Sequence, residues 1–127
     1  MTDAASPVRV QVVIDCHDPK ALADFWAAAL GYAKQWDCAG SADTDWCAVV
    51  DKAERRPRIV FQRVSEKKVG KNRVHLDMQV GQEHAEAEVQ RLLTIGATKA
   101  ATVEPAGPGR HLRTIMRDPE GNEFCVQ

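Results

Sequence analysis

The sequence predicts an α+β fold of two tandem βαβββ modules, whose strands form a curved mixed sheet cup with the helices outside. The first observation behind this is a near-repeat. Gln11-Val-Val-Ile-Asp-Cys-His-Asp18 runs into Pro19-Lys-Ala-Leu-Ala-Asp-Phe-Trp-Ala-Ala-Ala-Leu-Gly31, and His75-Leu-Asp-Met-Gln-Val-Gly-Gln82 runs into Glu83-His-Ala-Glu-Ala-Glu-Val-Gln-Arg-Leu-Leu-Thr-Ile-Gly96. The offsets, 75 − 11 = 64 and 96 − 31 = 65, differ by one residue, as expected of a strand–helix–Gly unit and its copy. The second observation is that each copy is followed by three strand-like stretches. No long or low-complexity linker separates the halves, so residues 1–127 are expected to form one domain with modules at 8–64 and 72–127.

In chain order, Val8–Cys16 is rich in β-formers. Asp18 is a helix N-cap with Pro19 at the first helical position. Leu22, Phe25, Trp26, Ala29 and Leu30 recur at helical spacing, which makes Phe25 and Trp26 core residues, and Gly31 supplies a left-handed stop. Tyr32–Trp36, Trp46–Asp51 and Arg58–Val64 read as strands, the last two joined by a charged hairpin around Glu54-Arg-Arg-Pro57. The basic linker Glu66-Lys-Lys-Val-Gly-Lys-Asn72 leads into the second copy. There Arg73–Val80 reads as a strand, and Glu83–Ile95 as a helix with Ala85, Val89, Leu92 and Leu93 on one face. Ala97–Val103, Leu112–Arg117 and Glu123–Gln127 follow, the last two joined by the turn Asp118-Pro-Glu-Gly-Asn122.

Composition narrows the function classes. A formal charge of −1 and a pI near 6.4 leave no electrostatic footprint for nucleic acid or an anionic membrane. No apolar run is long enough for a membrane span, and the first residues lack the pattern of a signal peptide, so a cytoplasmic protein is expected. The four cysteines contain no Cys-x-x-Cys pair, which points to free buried thiols.

Strand parity locates a site. In Arg73–Val80, Val74, Leu76, Met78 and Val80 face the helices, and His75, Asp77 and Gln79 face the concave side. In the first strand Gln11, Val13 and Asp15 take the concave side, and in the last strand Glu123, Cys125 and Gln127 do. Aligning Phe61 with Phe124 sets Gln62 opposite Cys125. The cup thus collects Gln11, Gln62, His75, Glu123 and Cys125, with His75 as the symmetry mate of Gln11. Trp36 and Trp46 are candidate pocket walls. His17, His84 and His111 read as loop or surface residues, Lys67-Lys68-Lys71-Arg73 as a solvated linker, and Glu104–Arg110 as a loop able to act as a lid.

Paired βαβββ modules, the Phe25-Trp26…Leu30-Gly31-Tyr32 helix end and the Asp118-Pro-Glu-Gly-Asn122 turn resemble the vicinal oxygen chelate superfamily. That group includes glyoxalase I, extradiol dioxygenases, fosfomycin-resistance enzymes and bleomycin-resistance proteins. Lys71–Asp77 and Asp118–Val126 are similar to its glyoxalase-like domain subgroup. The resemblance implies a homodimer acting on a small molecule. It also implies metal ligands from the first, fourth, fifth and eighth strands, which match Gln11, Gln62, His75 and Cys125. The family's metal-binding Glu falls seven residues after the turn Asp, at Cys125 here, while Glu123 lies two residues earlier on the same face.

Weighed chemically, Gln11, His75 and Glu123 make a weak site for a divalent ion such as Zn, Fe, Mn or Ni, and a Cys125 thiolate would favour softer ions; two of the four positions are neutral amides, which are poor ligands. His75 and Glu123 are the candidate catalytic pair, with Gln11, Val13, Trp46, Gln62, Asp77 and Cys125 contacting substrate. Three classes stay open: a metal-dependent lyase, isomerase or dioxygenase on a small oxygenated substrate, a metal-free binding protein of the bleomycin-resistance kind, and a regulatory module with a vestigial cup.

Overall fold

The first helix shows how local sequence sets an element. The structure, a computed structural model, describes residues 6–35, 38, 45–105, 107–108 and 112–127. Helix α1 spans Pro19–Leu30. The Asp18 carboxylate accepts the Ala21 amide at 3.1 Å, and Pro19 occupies a position where no N–H is needed. Gly31 ends the helix at φ 69° and donates its amide to the Ala27 carbonyl. Leu22, Phe25, Trp26 and Ala29 are buried, as their spacing predicts. The Phe25 and Trp26 rings meet edge to face, 5.2 Å between centroids.

Two compact units divide the chain, residues 1–27 with 31–64 and residues 28–30 with 65–127. In the first, β1 (Val12–Cys16), β2 (Ala33–Lys34), β3 (Trp46–Val50) and β4 (Ile59–Arg63) form a sheet in the order β1-β4-β3-β2. Strands β1 and β4 are parallel, and the other pairs antiparallel. Cys16, Cys47, Val49, Ile59 and Phe61 are buried. The first strand was expected from Val8 but begins at Val12, with Val8 and Val10 exposed. Its last rung in that direction is the Val12 amide on the Arg58 carbonyl, 3.0 Å. Trp36, at the expected end of the second strand, lies outside the described residues.

In the second unit, β5 (Asp77–Met78), β6 (Thr98–Val103), β7 (Arg113–Arg117) and β8 (Glu123–Val126) take the matching order β5-β8-β7-β6. The β5·β8 pair is parallel, β7 is antiparallel to both neighbours, and Ala100 forms a one-residue shift between β6 and β7. Helix α2 spans Gln82–Thr94 and buries Val89 and Leu92. Leu93, expected on the same face, is exposed, because one residue past Leu92 turns the side chain about 100° away.

The expected strand Arg73–Val80 is reduced to Asp77–Met78, and Val74, expected to face the helices, is 78% exposed. The cause lies at Asn72. Its side chain imitates a peptide unit: Oδ1 accepts the Glu123 amide at 2.9 Å and Nδ2 donates to the Glu123 carbonyl at 3.1 Å. The start of β8 is therefore paired by a side chain, and Arg73-Val74 bend outward instead of continuing the ladder.

Candidate functional site

The second unit gathers donor atoms by strand geometry alone. His75 and Asp77 stand two residues apart, so they share one side of the chain, and Asp77 is the register partner of Cys125 on β8. His75 Nε2 lies 3.1 Å from Asp77 Oδ1. One ligand atom from each of His75, Asp77 and Cys125 falls within 4.8 Å of the others. Ile115 pairs with Cys125 across β7·β8, and Arg113 and Glu123 lie two residues before these on the same face. A cavity of about 390 Å³ opens there, lined by Lys71, His75, Asp77, Arg113, Ile115, Glu123, Cys125 and Gln127.

Electrostatics separate the two candidate partners of His75. Burial pushes the Cys125 thiol pKa up; the Asp77 charge and a hydrogen bond to Asp77 add to this, against the opposing pull of Arg113 and Lys71. Cys125 is only 5% exposed, which with the raised pKa describes a protonated, protected thiol rather than a nucleophile. At Glu123 burial also pushes upward, but it is outweighed by the Asn72 amide, its own amide and Lys68, so this carboxyl sits below the ordinary range. The Asn72 amide donates to Glu123 Oε2 at 3.1 Å, and Lys68 Nζ lies 3.3 Å from Oε1. Glu123 thus lines the cavity with its oxygens engaged elsewhere, outside the His75–Asp77–Cys125 group. Lys68, expected in a solvated linker, is instead docked on this carboxylate.

The first unit holds Gln11, Val13, Trp46 and Gln62, and its register revises the symmetry expected of them. Asp15 pairs with Gln62 as Asp77 pairs with Cys125. The offsets are 77 − 15 = 62 and 125 − 62 = 63, so the counterpart of His75 is Val13, not Gln11. The strand-to-helix connection is one residue longer in the second unit, 79–81 against 17–18. Helix α2 is also one residue longer than α1, 13 against 12, so an offset fitted near the helix ends overshoots the strands. Val13 is an isopropyl group and cannot ligate. Gln11 precedes β1, and its Oε1 accepts a bond from Arg58 Nη1 at 2.8 Å. Arg58 also donates from Nε and Nη2 to Gln35 Oε1, at 3.0 and 2.5 Å, and its Cζ lies 5.7 Å from the Trp46 ring centroid. Gln62 is exposed on the same face, register partner of both Asp15 and Trp46.

Sequence reasoning gave Arg58 no role, because its partners come from three separate stretches of chain. Asp77 could have been found as a donor beside His75, since their i, i+2 spacing was visible. Cys16, Cys38, Cys47 and Cys125 are all buried, and none forms a disulfide. His84 is exposed, 3.5 Å from Glu83, whereas His111 lies outside the described residues.

The family model "Glyoxalase-like domain" matches residues 11–127. The chain belongs to the glyoxalase-like domain family. No curated protein matches it significantly. Among solved structures, a glyoxalase/bleomycin resistance protein/dioxygenase family enzyme from Burkholderia phytofirmans PsJN is 20% identical, with 91% of this chain and 94% of that chain covered at TM-score 0.70. A mutant of the fosfomycin resistance protein FosX from Listeria monocytogenes, complexed with Mn(II) and 1S,2S-dihydroxypropylphosphonic acid, is 11% identical, covering 92% and 86% at TM-score 0.71. FosX from Mesorhizobium loti is 11% identical, covering 100% and 92% at TM-score 0.66. At these identities the likeness is one of fold, and the two-module reading of the sequence is the fold of this glyoxalase-like family. Among the described residues no helix is long and apolar enough to cross a membrane.

The donor set fits a divalent ion. Imidazole, carboxylate and a sulfur that would have to give up its proton lie within 4.8 Å of one another, so small side-chain shifts would bring them to metal–ligand lengths of about 2.0–2.3 Å. The sulfur tilts such a site toward zinc or iron over manganese.

Proposed function

We propose that this glyoxalase-like protein binds a small oxygenated, anionic molecule in the cavity of its second module, beside a divalent ion held by His75, Asp77 and Cys125. The observation that carries the reading is the convergence of those three donors within 4.8 Å. A bound cation would supply Lewis-acid polarisation of substrate oxygens, the chemistry common to lyases, isomerases and dioxygenases of this fold. Lys71 and Arg113, on the same cavity wall, would bind an anionic group and orient it. Glu123, its oxygens engaged by Lys68 and the Asn72 amide, would hold the cavity wall in shape rather than take a proton from substrate. The FosX structure with Mn(II) and a phosphonic acid supports this class of chemistry by family likeness.

Protein purified without a nickel column should contain close to one equivalent of metal per chain. Its cobalt-substituted form should show a thiolate-to-metal absorption band that Cys125→Ser abolishes, and His75→Ala should lose the metal itself. Metal-free protein that also gains no cobalt band would sink the metal reading. A metal-free binding protein is the second reading, favoured by Val13 at the counterpart position of His75 and by an Asp77 already engaged with His75 and Cys125. Thermal shifts with small organic anions in the presence of chelator would then carry the case. We further propose a cytoplasmic homodimer, on family likeness and the outer edge of β6; sedimentation giving a monomer at micromolar concentration would contradict the dimer.

A further inference from the structure

We propose a second ligand site, in the first module and independent of His75: a pocket for a small, multiply charged oxyanion of the pyrophosphate or phosphate-ester class, built on Arg58. The cavity there has a volume of about 580 Å³ and is lined by Arg9, Gln11, Arg55, Arg56, Pro57 and Arg58, with Glu54 and Val10 completing the wall. Four arginines and one glutamate thus line the cavity, and Asp51 adds a second carboxylate that interacts with Arg55 and Arg56. The two positive charges left in excess around a concave surface are costly without an anion to meet them.

Arg58 makes this more than a solvated charge run. Three of its five N–H donors are committed, two to Gln35 and one to Gln11, and the Trp46 ring lies beneath the guanidinium. The remaining two donors have no partner among the described residues. A guanidinium fixed on three sides loses little freedom on binding, which is the condition for bidentate recognition of a phosphate.

The hairpin that carries Arg55 and Arg56 is also built. Asp51 Oδ1 accepts the Ala53 amide at 3.1 Å, Oδ2 accepts the Arg55 amide at 3.2 Å, and Glu54 takes a left-handed φ of 55°. Arg9, Arg55 and Arg56 make no side-chain hydrogen bond or ion pair among the described residues. A planar carboxylate satisfies one fork, whereas four arginines around one cavity favour a ligand with several phosphoryl oxygens. The cavity volume falls within the range of small-molecule pockets, about 300–1,000 Å³.

The test is calorimetric titration of the full chain at physiological salt with inorganic phosphate, pyrophosphate and tripolyphosphate, and with a short DNA duplex. Expected are saturable one-to-one binding, affinity rising with ligand charge, and affinity weaker by roughly tenfold in each of Arg55→Gln and Arg56→Gln. Arg58→Gln should bind most weakly of all, and the two hairpin variants keep the test decisive if that one fails to fold. His75→Ala should bind as the unmodified chain does. No saturation by about 10 mM, a range in which binding is too weak for a dedicated site, would overturn the proposal. So would loss of binding in Lys71→Gln or Arg113→Gln, which assigns the anion to the second module, and so would preference for the duplex with a steep salt dependence.

Discussion

A thiol that is buried and shares a hydrogen bond with a carboxylate is held in its protonated form, and Cys125 meets both conditions through its burial and Asp77. Removing the Asp77 charge should therefore ease ionisation: in chelator-treated protein, Asp77→Asn should speed alkylation of Cys125 at pH 8, followed by peptide mass spectrometry because three other thiols are present. An unchanged or slower rate would show that burial alone protects the sulfur. Glu123 has the opposite sign. Its folded pKa is depressed, so its contribution to stability is complete above the ordinary value of 4.5 and is lost as pH falls through the lower folded value. The stability gap between the protein and Glu123→Gln should thus be widest near neutrality and close below pH 4.5 in urea titrations. Much of this neighbourhood was legible beforehand, because i, i+2 parity on a strand is local information; His75, Asp77, Glu123 and Cys125 line one cavity together. Arg58 was not legible. Its role depends on Gln11, Gln35 and Trp46 arriving from separate stretches, and nothing in the local pattern around Arg58 announces them.

Elements follow the same division between local and distant causes. Helix α1 was read from its own residues, since Asp18, Pro19 and Gly31 act within one turn of the ends they define. Gly31 offers a clean measure of how much the stop matters. A Cβ built there meets nothing within 4 Å, so Gly31→Ala would cost backbone strain only, about 1–2 kcal/mol for a left-handed alanine. Gly31→Asn should recover part of that, and destabilisation well above about 2 kcal/mol would mean a steric conflict that the open surroundings exclude. Strand β5 went the other way. Alternation in Arg73–Val80 is a genuine strand pattern, but strand length depends on what the partner offers, and Asn72 had already taken the Glu123 rung. The misplacement of Gln11 against His75 has a similar origin: repeat offsets count residues, whereas register counts hydrogen-bond rungs, and a loop and a helix of different length separate the two counts.

For the molecule as a whole, we propose that the modules unfold as one domain. Each unit is only about 60 residues, a size at which a lone core is marginal. The last turn of α1, Ala28–Leu30, belongs with the second unit while the rest of that helix belongs with the first. Arg91 of α2 donates to the Ala28 and Ala29 carbonyls at 3.1 and 2.9 Å, tying that turn down. The sequence supplies a built-in pair of probes, because its three tryptophans, Trp26, Trp36 and Trp46, all fall before Val64. Tryptophan fluorescence therefore follows the first unit alone, and circular dichroism at helical wavelengths follows α1 and α2 together. In urea the two signals should give coincident transitions with one midpoint and one slope. Arg91→Ala should lower that midpoint while keeping the curves superimposed, since it removes hydrogen bonds to two carbonyls without removing either core. Separate midpoints in the unmodified chain would mean that the two modules are independent domains.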